Sequence, residues 1–109
     1  MSVLKIRSHC RYAVRSPATL KAKGRRAAAC LLIELSQDGA RISNLGGQQL
    51  TVGDEVTLAT DHSAPIEAIV RWSNDGRAGL RLSQPLHASE LSEFIAADRG
   101  DDGLAAKVA

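Results

Sequence analysis

The stretch from Ile66 to Ser83 constrains the fold most. Ile66, Ala68, Val70 and Trp72 fall on one side of an extended chain, and Ala78, Leu80 and Leu82 on one side of the next. Side chains alternate across a strand, so each run reads as a half-buried strand. Asn74-Asp75-Gly76 stands between them. Asp-Gly supplies the positive φ angles of a tight hairpin turn. The alternation puts Trp72 on the inner face, which suits its large apolar area. Ile69 breaks strict alternation and predicts cover on both faces of its strand.

The rest of the chain repeats this grammar. Ala18, Leu20 and Ala22 alternate with Thr19, Lys21 and Lys23, and Gly24-Arg25 makes a turn. Arg26 to Leu35 is a second, more apolar strand, and Gly39 to Ser43 a third. Glu55 to Thr60 is a fourth, with Val56 and Leu58 inside. Residues 44–49, Val52-Gly53-Asp54 and residues 61–65 read as loops. Residues 7–16 read as an extended arm, and Pro17 disfavours helix at Ser16. After Pro85 the period changes. Leu91, Phe94 and Ile95 form one face of a helix, with Ser89 as its N-cap and Glu90 in its first turn. Asp98 to Gly103 reads as a helix breaker.

Six short strands with polar turns predict an all-β fold, a small antiparallel barrel or sandwich with a C-terminal α-helix. Closure into a six-stranded antiparallel β-barrel would remove exposed sheet edges. The expected organisation is a basic arm over residues 1–16, the barrel with its helix over 17–98, and a flexible tail over 99–109.

With 109 residues, the chain holds one domain. It has no apolar run long enough to cross a bilayer and no leader-type pattern at its start, so a cytoplasmic protein is expected. Cys10 and Cys30 are expected as reduced thiols. With His9, His62 and His87 scattered, no metal site is expected. Charge is segregated. Lys5, Arg7, Arg11, Arg15, Lys21, Lys23, Arg25 and Arg26 precede Glu34, the first carboxylate. Such a segment fits an anionic partner (nucleotide, nucleic acid or membrane surface) or a solvated basic face.

Glu34-Leu35-Ser36-Gln37-Asp38-Gly39 ends the second strand. On a strand Glu34 and Ser36 would share one face, with Leu35 turned into the core. Upstream lies Arg11-Tyr-Ala-Val-Arg15, an R-x-x-x-R pattern that leads into Pro17 and the first strand. Arg7-Ser-His-Cys-Arg11 is a second, overlapping copy. Downstream lies Val70-Arg-Trp72 with Gly76-Arg-Ala-Gly79-Leu. Together these resemble the PilZ domain family, whose pattern is R-x-x-x-R followed by (D/N)-x-S-x-x-G. The resemblance covers roughly residues 7–97.

It implies a six-stranded β-barrel with a C-terminal helix. It also implies a bacterial second-messenger receptor that binds cyclic di-GMP without catalysis and signals to an effector protein. No cofactor, nucleic-acid polymer or membrane insertion is implied. Residue by residue it implies ligand binding by Arg11, Arg15, Glu34, Ser36 and Gly39. The family's tryptophan on the fifth strand, near the ligand, maps onto Trp72. The chemistry fits. Arginine offers two parallel hydrogen bonds to guanine O6 and N7 or to phosphate and stacks on a base. A carboxylate accepts from guanine N–H groups, and glycine at 39 tolerates φ > 0 and close backbone approach. Glu34 departs from the family's Asp or Asn by one methylene, and Asp38 adds a charge where the family often has a small residue.

Three alternatives stand beside this reading. Glu34 can pair with Arg15 or Arg41, and Ser36 with Gly39 can serve only as turn formers. The chain can be a degenerate PilZ module that lost the nucleotide and acts through protein contacts. A basic barrel can bind single-stranded nucleic acid, but that needs aromatic platforms along a groove, and only Tyr12, Trp72 and Phe94 are present. No nucleophile–base set and no phosphate loop opening a helix supports an enzyme.

Overall fold

The computed structural model describes residues 11–46 and 50–103, with side chains through residue 99. Six strands and one helix follow in order: β1 (Tyr12–Ala22), β2 (Ala28–Leu35), β3 (Gly39–Ser43), β4 (Glu55–Thr60), β5 (Ser63–Asn74), β6 (Arg77–Leu82) and α1 (Ala88–Gly103). The strands close into an antiparallel barrel in the order β1-β2-β3-β6-β5-β4. No described helix is long and apolar enough to cross a membrane.

The alternating residues fill the interior. Leu20, Leu32, Leu35, Ile42, Leu58, Val70 and Phe94 are all but inaccessible to solvent. Leu91 and Phe94 of α1 join this core and Ile95 packs against it, as the helical period predicts. The β5–β6 turn has φ of 51° at Asp75 and 77° at Gly76. Positive φ at both central residues is the type I′ geometry that Asp-Gly favours.

Several boundaries differ from the sequence reading. Strand β1 begins at Tyr12 rather than Ala18, so residues 12–16 of the expected arm belong to the barrel wall; residues 1–10 lie outside the described residues. Strand β5 begins at Ser63, leaving only Asp61 and His62 in the turn. Helix α1 runs through the expected breaker to Gly103. Its late residues are tied to β1: the Arg15 N–H donates to Asp98 Oδ2 (3.2 Å), and Arg99 Nη2 donates to the Ala13 carbonyl (2.9 Å). Tertiary anchoring here overrides local propensity. The start of α1 also differs. Glu90 Oε1 accepts from the His87 N–H at 2.8 Å, which makes His87, not Ser89, the N-cap of a half capping box. Ile69 is exposed rather than covered on both sides.

Two bulges matter most for the outer wall. Leu32 pairs with Ile42 and Glu34 with Arg41, so β2 carries one extra residue, Ile33. Val70 pairs with Leu80 and Trp72 with Gly79, so β5 carries Arg71 as an extra residue. An extra residue shifts everything beyond it to the other face. Without the bulges, Glu34 would share the inner face with Leu32, and Trp72 with Val70.

Candidate nucleotide-binding cleft

Because of those bulges, four residues form a row across the outside of the barrel. Glu34 on β2 faces Arg41 on β3, Arg41 faces Gly79 on β6, and Gly79 faces Trp72 on β5. Arg41 Nε lies 3.4 Å from Glu34 Oε1. The Arg41 guanidinium carbon lies 5.8 Å from the centroid of the Trp72 ring, within cation–π range. Trp72 is 40% exposed, so the alternation-based expectation of an inner-face tryptophan fails. The Arg71 bulge is the cause.

Gly79 explains how the indole lies down. A Cβ built at Gly79 would fall 2.8 Å from Trp72 Cδ1, with Nε1 and Cε2 nearer still. The pyrrole ring therefore covers the space a side chain would need.

The turn from Ser36 to Gly39 forms one end of this face. The Ser36 N–H donates to the Gly39 carbonyl at 2.9 Å. The Ser36 hydroxyl is 3.3 Å from both Asp38 Oδ1 and the Gly39 carbonyl. Ser36 is buried beyond the end of β2, and its hydroxyl holds the turn. Gly39 does not have positive φ, contrary to expectation. What it lacks is room: a Cβ there would stand 3.3 Å from the Leu80 carbonyl oxygen and 3.5 Å from Ser36 Oγ.

Row and turn border a cleft of about 490 Å³. Arg11, Glu34, Ser36, Gly39 and Trp72 all line it. Arg15 does not: it lies within β1, and its backbone amide is bound to Asp98 on the helix side. Arg41, Arg71 and Arg81 line the cleft as well, and sequence reasoning gave them no ligand role. All three had a legible signal. Arg41 and Arg81 alternate with buried Ile42, Leu80 and Leu82, so both had to face outward. Arg71 follows the inward Val70, so alternation turns it outward too; what alternation conceals is the bulge, which turns Trp72 outward after it. Asp38 also borders the cleft. The arrangement joins four guanidinium groups to one indole on an open wall. It can hold a polyanion carrying a flat ring.

The remaining functional groups are ordinary. Cys30 is a free thiol buried in the wall, and burial pushes its pKa up to about 11. Among the described residues no group of His, Cys, Asp and Glu could hold a metal ion.

The fold is shared with solved structures of low sequence identity. The Bacillus subtilis inhibitor of motility (MotI/DgrA) superposes with a TM-score of 0.60 at 16% identity, covering 86% of this chain and 50% of that one. This chain thus spans half the length of that protein. The PilZ domain of CeSA from a cellulose-synthesizing bacterium superposes with a TM-score of 0.63, also at 16% identity, covering 85% of this chain and 98% of that domain. No curated protein matches the sequence closely enough to count as a relative. The sequence profile of the PilZ domain, however, matches residues 5–97, nearly the whole chain. With the closed six-stranded barrel and its terminal helix, that match establishes that the chain belongs to the PilZ domain family, whose members are non-catalytic receptor modules for cyclic di-GMP.

Proposed function

We propose that this PilZ domain is a cytoplasmic receptor that binds cyclic di-GMP in the cleft between the Ser36–Gly39 turn and Trp72, and passes the signal to an effector protein. The observation that carries the reading is the convergence of Arg11, Arg41, Arg71 and Arg81 on the same wall as the lone tryptophan. Cyclic di-GMP carries two phosphates and two purines. Guanidinium groups serve the phosphates and the guanine Hoogsteen edge. The indole serves a base face. Glycine at 39 keeps the turn backbone close to whatever lies in the cleft.

Within this reading the R-x-x-x-R pair is Arg7 and Arg11 rather than Arg11 and Arg15. Arg15 lies within β1, its backbone amide bound to Asp98 of the helix, and it does not line the cleft. Arg11 stands immediately before β1 and lines the cleft. The overlapping pattern puts its partner at Arg7, which lies outside the described residues. Ligand bound against Arg11, next to the start of β1, would change the surface an effector reads.

The test is isothermal titration of the purified protein with cyclic di-GMP. Saturable binding, lost with Arg11→Ala, is expected. A fold intact by circular dichroism but without heat at high micromolar ligand would sink the reading. One observation favours a second reading, a module that no longer takes the nucleotide: Glu34 is already engaged by Arg41. That reading predicts a null titration together with an effector interaction that survives Arg11→Ala.

A further inference from the structure

We propose that Gly79 is a positioning residue of the nucleotide site. Its missing side chain is the seat on which the Trp72 ring rests, and the seated ring is the surface that receives a purine. The inference rests on the cyclic di-GMP reading and names a part of the site outside its motifs.

The argument starts from the bulge. The extra residue Arg71 turns Trp72 outward and opposite Gly79. Any Cβ at 79 would overlap the indole. Gly79 counts as buried although it lies on the outer face of β6, between the inward Ala78 and Leu80, and Trp72 covers it. Its φ lies outside the positive range, so backbone freedom does not account for glycine here. Space does. From a second side the Arg41 guanidinium stands 5.8 Å from the ring centroid, and Glu34 holds that guanidinium in turn. An indole fixed by the strand beneath it loses little rotamer freedom when a base stacks on it, and such preorganisation raises affinity. Alanine at 79 would lift or rotate the ring away from the wall while leaving the barrel's hydrogen-bond ladder intact.

Trp72 is the single tryptophan of the chain, so its fluorescence reports on the seat directly. The experiment compares wild type, Gly79→Ala, Trp72→Ala and the double variant. Each is measured for cyclic di-GMP affinity, thermal stability and, where tryptophan remains, emission and acrylamide quenching without ligand. Gly79→Ala is expected to keep its circular dichroism, to shift the emission to longer wavelength and to weaken cyclic di-GMP about tenfold or more, the scale of losing one base–aromatic stack. In the Trp72→Ala background, Gly79→Ala is expected to change neither affinity nor stability further, because nothing remains to displace.

Wild-type affinity and emission in Gly79→Ala would overturn the inference, as would losses that simply multiply in the double variant. Should Gly79→Ala not fold, a folded double variant supports the seat and an unfolded one refutes it. If wild type itself takes up no cyclic di-GMP, the functional reading fails and the platform with it. Emission and the stability cycle still decide the seat.

Discussion

Glu34 and Arg41 are cross-strand partners whose Oε1 and Nε stand 3.4 Å apart on the outer wall, with the Trp72 ring on the far side of the guanidinium. The pair is partly exposed and contributes little to stability, ~0.2–1 kcal/mol by the usual behaviour of such pairs. Its consequence concerns the cleft, because a carboxylate that engages Arg41 competes with a phosphate for it. Aspartate at 34 would end one methylene earlier and loosen that hold. Glu34→Asp is therefore expected to bind cyclic di-GMP as well as wild type or more tightly in calorimetry, with an unfolding midpoint nearly unchanged. A clear loss of affinity would mean that the longer carboxylate itself contacts the ligand.

The two arginines of the pattern closest to β1 should behave differently. Arg11 lines the cleft and Arg15 does not. Removing a charged hydrogen-bond donor typically costs about 1.5–3 kcal/mol, so Arg11→Ala and Arg7→Ala should each lower the affinity for cyclic di-GMP by roughly tenfold or more. Arg15→Ala should leave it within about twofold, since Arg15 does not line the cleft and its backbone amide, which meets Asp98, is kept. Equal losses from Arg11→Ala and Arg15→Ala would restore the other register.

The sequence carried the barrel almost whole and the site only in pieces. Alternation in 18–22, 39–43, 55–60 and 77–82 marks strands whose inner residues are the observed core. Asp75-Gly76 marks the turn that joins the last two. Alternation is a local rule, and a bulge breaks it without any signature in residue type. Ile33 and Arg71 look like ordinary strand residues, yet they decide that Glu34 and Trp72 face outward. The start of β1 was hidden for another reason. Its edge before Ala18 has no pairing with β4, and Asp98 and Arg99, distant in sequence, bind its backbone instead. Arg41, Arg71 and Arg81 were legible as outward residues, but their convergence is a product of strand order.

That helix-to-strand attachment should be measurable. Asp98→Ala removes the acceptor for the Arg15 amide, and Arg99→Ala removes a donor to the Ala13 carbonyl. Each bond is exposed and expected to contribute about 0.5–1.5 kcal/mol. Hydrogen exchange at the Arg15 amide should accelerate in Asp98→Ala while amides of β6 keep their protection. Unchanged exchange at Arg15 would show that the contact does not hold the strand.

Ser16 offers a change in the opposite direction. Its hydroxyl is buried in the barrel, 1% exposed as a residue, and has no hydrogen-bond partner among the described residues. A buried hydroxyl without a partner costs roughly 1–3 kcal/mol relative to hydration. Ser16→Ala deletes that group for only a small cavity, so denaturant unfolding should show equal or higher stability, by about 1 kcal/mol. A loss larger than that would mean the hydroxyl is satisfied in solution.

Cys30 gives a pH dependence with a defined sign. Burial raises its pKa from the ordinary 9.0 to about 11, so the folded protein keeps the thiol protonated where the unfolded chain has already lost the proton. The unfolded state then binds fewer protons, and stability must fall as pH rises through that window. The contribution is fully present below pH 9 and is lost between 9 and about 11. In a Cys10→Ser background, Cys30 should react slowly with a thiol reagent at pH 8 in the folded protein and fast in denaturant. Replacing Cys30 with Ala should flatten the alkaline limb of the stability curve. An unchanged limb, or rapid native labelling, would show that the thiol is open to solvent.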